Sequence, residues 1–346
     1  MSVTLQTPNP HPMNPRRPQR AFFALIFTLN LASAPPASAA DLVPAPERAN
    51  AVKDLNKLRY LGMPVPGLTP ERFAPGLVCT PAVELNAVFS PDGREFYFTR
   101  LIDGIDTLHQ IKFADGKWGA PRELLLFPNR VRVESADMFI SADNRELYFL
   151  ANFSKRREGQ KPNYDLWVSR RVNGDWALAE LVPPPVSTVA DEMYPILGKD
   201  GSLYFSSGRE GKDCVYRAMR RPAGGFDQPQ KVELALKGEG SGDMCLAPDE
   251  SYLIMTPQLP GGRGRGDLHV AFRQPDGSWG ELISLGDRVN TAAHEWCPMV
   301  TPDGKYLFFS RWFGKEWGDA GDGEVYWVDI RILDELRPKA ADSPAK

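Results

Sequence analysis

Cysteine and histidine are scarce, four of each in 346 residues. No Cys-x-x-Cys pair and no histidine cluster occurs, so no stretch has the ligand spacing of a zinc site. A Gly-x-Ser-x-Gly elbow is missing, which removes the usual serine-hydrolase signature. The run Gly261-Gly-Arg-Gly-Arg-Gly266 lacks the Lys-Ser/Thr pair of a phosphate loop. The acids between Asp319 and Glu324 do not have EF-hand spacing. Charge of one sign is also lacking. The formal net charge is −3, which argues against nucleic acid or anionic lipid as a partner. No apolar run approaches the roughly 20 residues of a membrane-spanning helix.

The longest apolar run, Ala21 to Leu31, follows Arg16, Arg17 and Arg20 and precedes Ala37-Ser38-Ala39. A basic start, a short apolar middle and small residues at the end form a secretory signal. Residues 1–40 are therefore expected to be cleaved, with Met1 and Met13 both open as the true start. The mature chain is expected in the periplasm or outside the cell, with no transmembrane segment. Cleavage takes away three arginines and no acid, so the exported part is the more acidic. An oxidising compartment permits disulfides. Cys79, Cys214, Cys245 and Cys297 occupy different phases of the repeat described next, and they read as small buried hydrophobes. Their pairing stays open.

Turn residues, by contrast, are abundant: 32 proline and 30 glycine. They punctuate a repeat. The stretch Ser90-Pro91-Asp92-Gly93-Arg94-Glu95-Phe96-Tyr97-Phe98 recurs, with changes, around Asp143, Asp200, Asp249 and Asp303. Two apolar runs flanking Pro-Asp-Gly make an antiparallel hairpin. The repeated Asp is a turn residue, because its side chain can bond its own backbone. Gly93, Gly201 and Gly304 suit the left-handed position that follows, and Asn144 is the next best. Glu250 departs from the pattern and predicts strain or another turn type. A third strand opened by an acid follows each hairpin, as in Asp165-Leu-Trp-Val, and then a fourth short strand, as in Trp118-Gly-Ala-Pro-Arg-Glu-Leu. Four strands in about 50 residues are one propeller blade.

The expected fold is all-β: a β-propeller of five four-stranded blades, with six blades as the alternative. Residues 41–72 form a lead-in with a possible short helix over Glu47–Leu61. Residues 73–332 form the propeller, and 333–346 a flexible tail. The fifth repeat ends after its third strand, so residues 73–80 are expected to supply its outer strand and close the ring.

The Pro-Asp turn, with an acid opening the third strand, resembles the WD40-like β-propeller repeat of the TolB type over about residues 73 to 330. The resemblance implies the fold. Members include periplasmic peptide- or protein-binding propellers, propeller halves of peptidases, and sugar-acid lyases. The peptidase motif is missing here, and so is the histidine and metal set of the lyases.

Counting back from each turn Asp locates candidate site residues. Eight before lie Glu84, Ser135, Glu192, Ser241 and Glu295, and six before lie Asn86, Asp137, Tyr194, Asp243 and Cys297. Regular alternation would put both sets on one strand face, and so a ring of five acids (Glu84, Asp137, Glu192, Asp243, Glu295) at one channel mouth. Glu134 and Glu239 lie nearby. Arg100, Arg209 and Arg311 reach the same end, either locking the acids or forming a charged cup with them. His294, Glu295 and Trp296 make a further candidate cluster. The expectation is a non-enzymatic binding or scaffold protein, without cofactor or metal, contacting an envelope protein or peptide at this mouth; a carbohydrate ligand is possible. The alternative is a hydrolase or lyase acting on polysaccharide through mouth acids such as Glu192 and Glu295. A third possibility is a structural interaction domain that uses its side surface.

Overall fold

The computed structural model describes residues 59–153, 163–236, 241–257, 259–314 and 323–338. The expected signal, most of the possible helix and residues 339–346 lie outside these. Five small antiparallel sheets, one per repeat, form a five-bladed β-propeller. No helix among the described residues is long and apolar enough to cross a membrane.

The turn chemistry builds each blade. In blade 1 the inner strand Glu84–Phe89 pairs with Glu95–Ile102, Phe89 opposite Phe96. The Ser90 hydroxyl donates to Asp92 Oδ1 at 2.6 Å, and the Arg94 N–H donates to the same oxygen at 3.0 Å. Asp143, Asp200 and Asp249 likewise accept the N–H two residues on, and Asp303 accepts the Thr301 hydroxyl. The repeated Asp is thus spent on the turn. Glu250 keeps the left-handed conformation at φ 60°, as Gly93 does at 68°. It is the strained turn, and it is held by the Lys199 N–H, which donates to Glu250 Oε1 at 2.6 Å.

The ring closes two residues earlier than the sequence suggests. The outer strand of blade 5 is Glu71–Arg72, with Glu71 opposite Trp327 and Arg72 opposite Tyr326. The Phe73 N–H adds one more bond, to Val325 O at 2.9 Å. Ala74 then turns left-handed at φ 45°, and Pro75 has no N–H to continue the ladder. Phe73 instead drives its ring into the seam of blades 5 and 1, against Phe89, Phe96, Phe308 and Trp327.

Order also extends beyond the expected end of the propeller. Ile330–Leu336 is a 3-10 helix with Leu333 fully buried, and Arg337 lies over the rings of Tyr252 and Phe272. Of the expected lead-in helix only its end is described, as a 3-10 turn, Tyr60–Gly62. The Tyr60 hydroxyl donates to Asp303 at 2.6 Å.

Candidate functional site

Every inner strand carries a bulge. In blade 1, Leu85 faces Thr99 and Ala87 faces Phe98, which leaves Asn86 as the extra residue. The register slips at the corresponding place in the other four blades. Asn86, Asp137, Tyr194 and Cys297 sit there with φ near 50°. A bulge re-aims the side chains on either side of it. The two counted positions therefore do not share a face, and the expected single ring of five acids does not form.

The outer set consists of staples. In blade 1 the Thr80 N–H and hydroxyl donate to Glu84 at 3.1 and 2.5 Å, and Arg100 Nε donates to Glu84 Oε1 at 2.8 Å. Blade 5 repeats this with Thr291, Glu295 and Arg311 at 3.0, 2.6 and 2.8 Å. Blade 3 repeats it with Thr188 and Glu192 at 2.9 and 2.6 Å, adding the Ser207 hydroxyl at 2.9 Å and Arg209 at 3.3 Å. The arginines also donate to the carbonyls of Val78, Val186 and Val289 in the loops that enter each blade. All three glutamates are completely buried. Burial pushes the Glu84 and Glu192 carboxyls up, opposed by the Thr and Arg bonds. These groups tie an entering loop to its own blade.

The inner set plugs the channel from blade to blade. Asn86 Oδ1 accepts from the Met138 N–H at 2.8 Å, Asp137 accepts from the Tyr194 N–H, and Asp243 accepts from the Cys297 N–H. The Ser310 hydroxyl oxygen accepts from the Asn86 N–H at 3.0 Å and completes the circuit. Tyr194 bonds Asp243, and Cys297 Sγ reaches Asp137 Oδ1 at 3.9 Å. Burial, then the Asp243 charge, push the Asp137 carboxyl well above its usual range. All four cysteines are free and buried.

On the loop face beside this neck stands Asp106, the acid that opens the third strand of blade 1. Its Oδ1 is buried and has no hydrogen-bond partner among the described residues. Burial, with the charge of Glu134, pushes its carboxyl up to about 7. Glu134 accepts the Tyr164 hydroxyl at 2.5 Å. His294 stands against Trp296 and Trp312, its ring centroid 5.3 and 6.5 Å from theirs, and burial lowers its pKa. Among the described residues, no group of three or more His, Cys, Asp or Glu could hold a metal ion.

The main concavity opens on the opposite face, among the Pro-Asp turns. It measures about 880 Å³ and draws residues from all five blades. Its floor is one residue per repeat, three before each turn Asp: Phe89, Ile140, Leu197, Leu246 and Val300. Pro91, Ala142, Pro248 and Pro302 stand at the rim, with Arg145, Arg170, Arg171, Lys199 and Arg220. Sequence counting stopped at the eighth and sixth positions and missed this cup. The signal was present, since the third position before the Asp is apolar in every repeat.

No protein-family model and no curated protein sequence matches the chain. Solved structures do. An α-L-arabinofuranosidase from Lactobacillus brevis superposes with a TM-score of 0.50 at 12% identity, over 73% of this chain and 92% of that one. A putative TolB from Agrobacterium tumefaciens gives 0.47 at 14%, over 72% and 78%. TolB from Acinetobacter baumannii gives 0.43 at 13%, over 72% and 57%. The likeness is one of fold. Propellers of this kind carry unrelated activities, so function must come from the site.

Proposed function

We propose that the protein is an exported, non-enzymatic binding propeller. Its contact surface is the cup on the turn face, and its partner is a peptide segment of another envelope protein that presents an apolar anchor side chain. The observation that carries this reading is the cup itself, an apolar-floored concavity of about 880 Å³ assembled from all five blades. Mostly apolar clefts of this order hold ligands in other proteins. A glycan needs hydrogen-bonding groups and open aromatic faces, whereas the floor is mainly aliphatic. The acid mouth is a weaker candidate, because the oxygens of Glu84, Glu192 and Glu295 are engaged by Thr and Arg. Export rests on the N-terminal sequence pattern. Amino-terminal sequencing of the protein recovered from cells tests it, and should begin at Ala40 or Asp41.

The binding claim is tested by selecting peptides from a random library on the purified mature chain. The best are then titrated against wild type and Ala142→Trp. Ala142 is exposed at the rim, so tryptophan there fills the cup without entering the core. Selected peptides should share an apolar residue and lose about tenfold or more in affinity, roughly 1.4 kcal/mol. A selection without binders, or binders indifferent to the variant, overturns the reading.

One observation favours a second reading, a hydrolase or lyase acting on polysaccharide from the loop face. Asp106 has a buried oxygen without a partner among the described residues and a carboxyl pushed up to about 7. Such a group is half-protonated at neutral pH and suits general acid catalysis. Turnover of an oligosaccharide that disappears in Asp106→Asn would establish this reading; no turnover across neutral and acidic polysaccharides would remove it.

A further inference from the structure

The cup is not uniform. Blades 1 and 5 line it with Val88, Phe89, Pro91, Met299, Val300 and Pro302, none of them ionisable. Among the described residues, all its charge stands on blades 2, 3 and 4. There, five basic residues face three acids, Asp143, Glu146 and Glu250, in a chain whose formal net charge is −3. The acids are already committed. Asp143 accepts from its own turn, the Ser141 hydroxyl at 2.6 Å and the Arg145 N–H at 3.1 Å. Glu146 lies between Arg170 at 3.5 Å and Arg220 at 2.7 Å, one carboxylate against two guanidinium groups. Glu250 faces Arg273 at 3.4 Å and takes the Lys199 N–H.

Three of the basic groups are already paired with a carboxylate: Arg170 with Glu180 at 2.6 Å, Arg171 with Glu95 and Arg220 with Glu146. Arg220 bonds the Tyr148 hydroxyl at 2.8 Å and lies over Phe226. Arg171 is fixed by Glu95 at 2.5 Å and stacks on Trp176. Arg145 is exposed, and among the described residues its guanidinium meets no carboxylate. Arg170 keeps about half its side chain in solvent but donates to Glu180 at 2.6 Å, so Arg145 is the guanidinium open to a ligand. A concavity with fixed positive charge on one side and an apolar wall on the other selects a ligand of matching polarity.

We infer that the segment held in the cup pairs its apolar anchor with a carboxylate, either an adjacent Asp or Glu or the chain's own C-terminus. The anchor lies against blades 5 and 1, and the carboxylate faces Arg145 on blade 2. This inference rests on the cup being the contact surface.

The test uses four peptides with one common apolar anchor: acidic flanks, neutral flanks, basic flanks, and a free C-terminal carboxylate beside the anchor. Each is titrated by fluorescence anisotropy against the mature chain and against Arg145→Glu, at low and high salt. A matching thermal melt shows that the variant is folded. Arg145→Ser serves as the second variant, removing the charge without reversing it. The acidic or C-terminal peptide should bind about tenfold tighter than the neutral one, and the advantage should shrink as salt rises. In Arg145→Glu the order should reverse in favour of the basic peptide, with Arg145→Ser between. Equal affinity for neutral and acidic peptides overturns the charge inference and leaves the cup as an apolar site. Failure of all four to bind overturns the reading on which it rests.

Discussion

Arg311 Nε donates to Glu295 Oε1 at 2.8 Å, with the carboxylate wholly buried and the guanidinium nearly so. Arg100 meets Glu84 at the same distance in blade 1. Breaking such a pair leaves a buried charge without a partner, which costs about 3–5 kcal/mol. Glu295→Gln should therefore destabilise the fold by about 3 kcal/mol in urea unfolding. The double variant Glu295→Leu, Arg311→Met should recover much of that loss. If Glu295→Gln melts like wild type but loses a ligand, Glu295 belongs to a binding site and not to a staple.

Phe73 closes the ring, because it follows the two-residue outer strand and fills the seam between the first and last blades. Phe73→Ala removes a fully buried ring and should cost about 3–5 kcal/mol. Limited proteolysis should then cut first near the closing strand. An unchanged denaturation midpoint would show that Glu71 and Arg72 hold the closure without it.

Asp106 gives the fold a pH dependence of definite sign. Its folded pKa is raised to about 7 from the ordinary 3.8. Between about pH 4 and about pH 7 the folded chain holds a proton that the unfolded chain has released. Stability falls over that window as pH rises, and the full cost remains above it. Asp106→Asn carries no such charge. It should match wild type near pH 4 and exceed it by about 4 kcal/mol at pH 8, about 1.4 kcal/mol for each unit of the shift. The charges facing Asp106 are those of Glu134 and Asp137, so a helpful cation does not reverse the sign. Parallel melting curves for the two proteins across this range would contradict the assignment.

The four thiols are free and buried. Burial pushes Cys79 and Cys245 up to about 12, further from the reactive thiolate. A thiol reagent should label none in the native state and four after denaturation, and a reductant should leave the melting temperature unchanged. A reductant-sensitive melt would reveal a disulfide.

The fold was legible because each blade is specified locally. A Pro-Asp-Gly turn, an apolar run on each side and an acid at the third strand recur often enough to count blades. The site was less legible because counting by two assumes an unbroken strand. The bulge at Asn86 and its four counterparts breaks that assumption, and no residue type marks it, since Asn, Asp, Tyr and Cys all occupy the position. The Thr80–Glu84–Arg100 staple could have been read, because a threonine stands four residues before each of the three glutamates. In sequence Phe73 reads as part of the closing strand, because its side chain's inward turn depends on Pro75 and on the seam it fills.

The turn face is the proposed contact surface for partners. Hydrogen exchange of residues 41–346, with and without a selected peptide, distinguishes it from the channel mouth. New protection is expected at residues 139–146, 197–201 and 246–250, which border the cup. Protection confined to the opposite face, at residues 131–137, 187–192 and 291–296, would contradict it and return the binding site to the channel mouth.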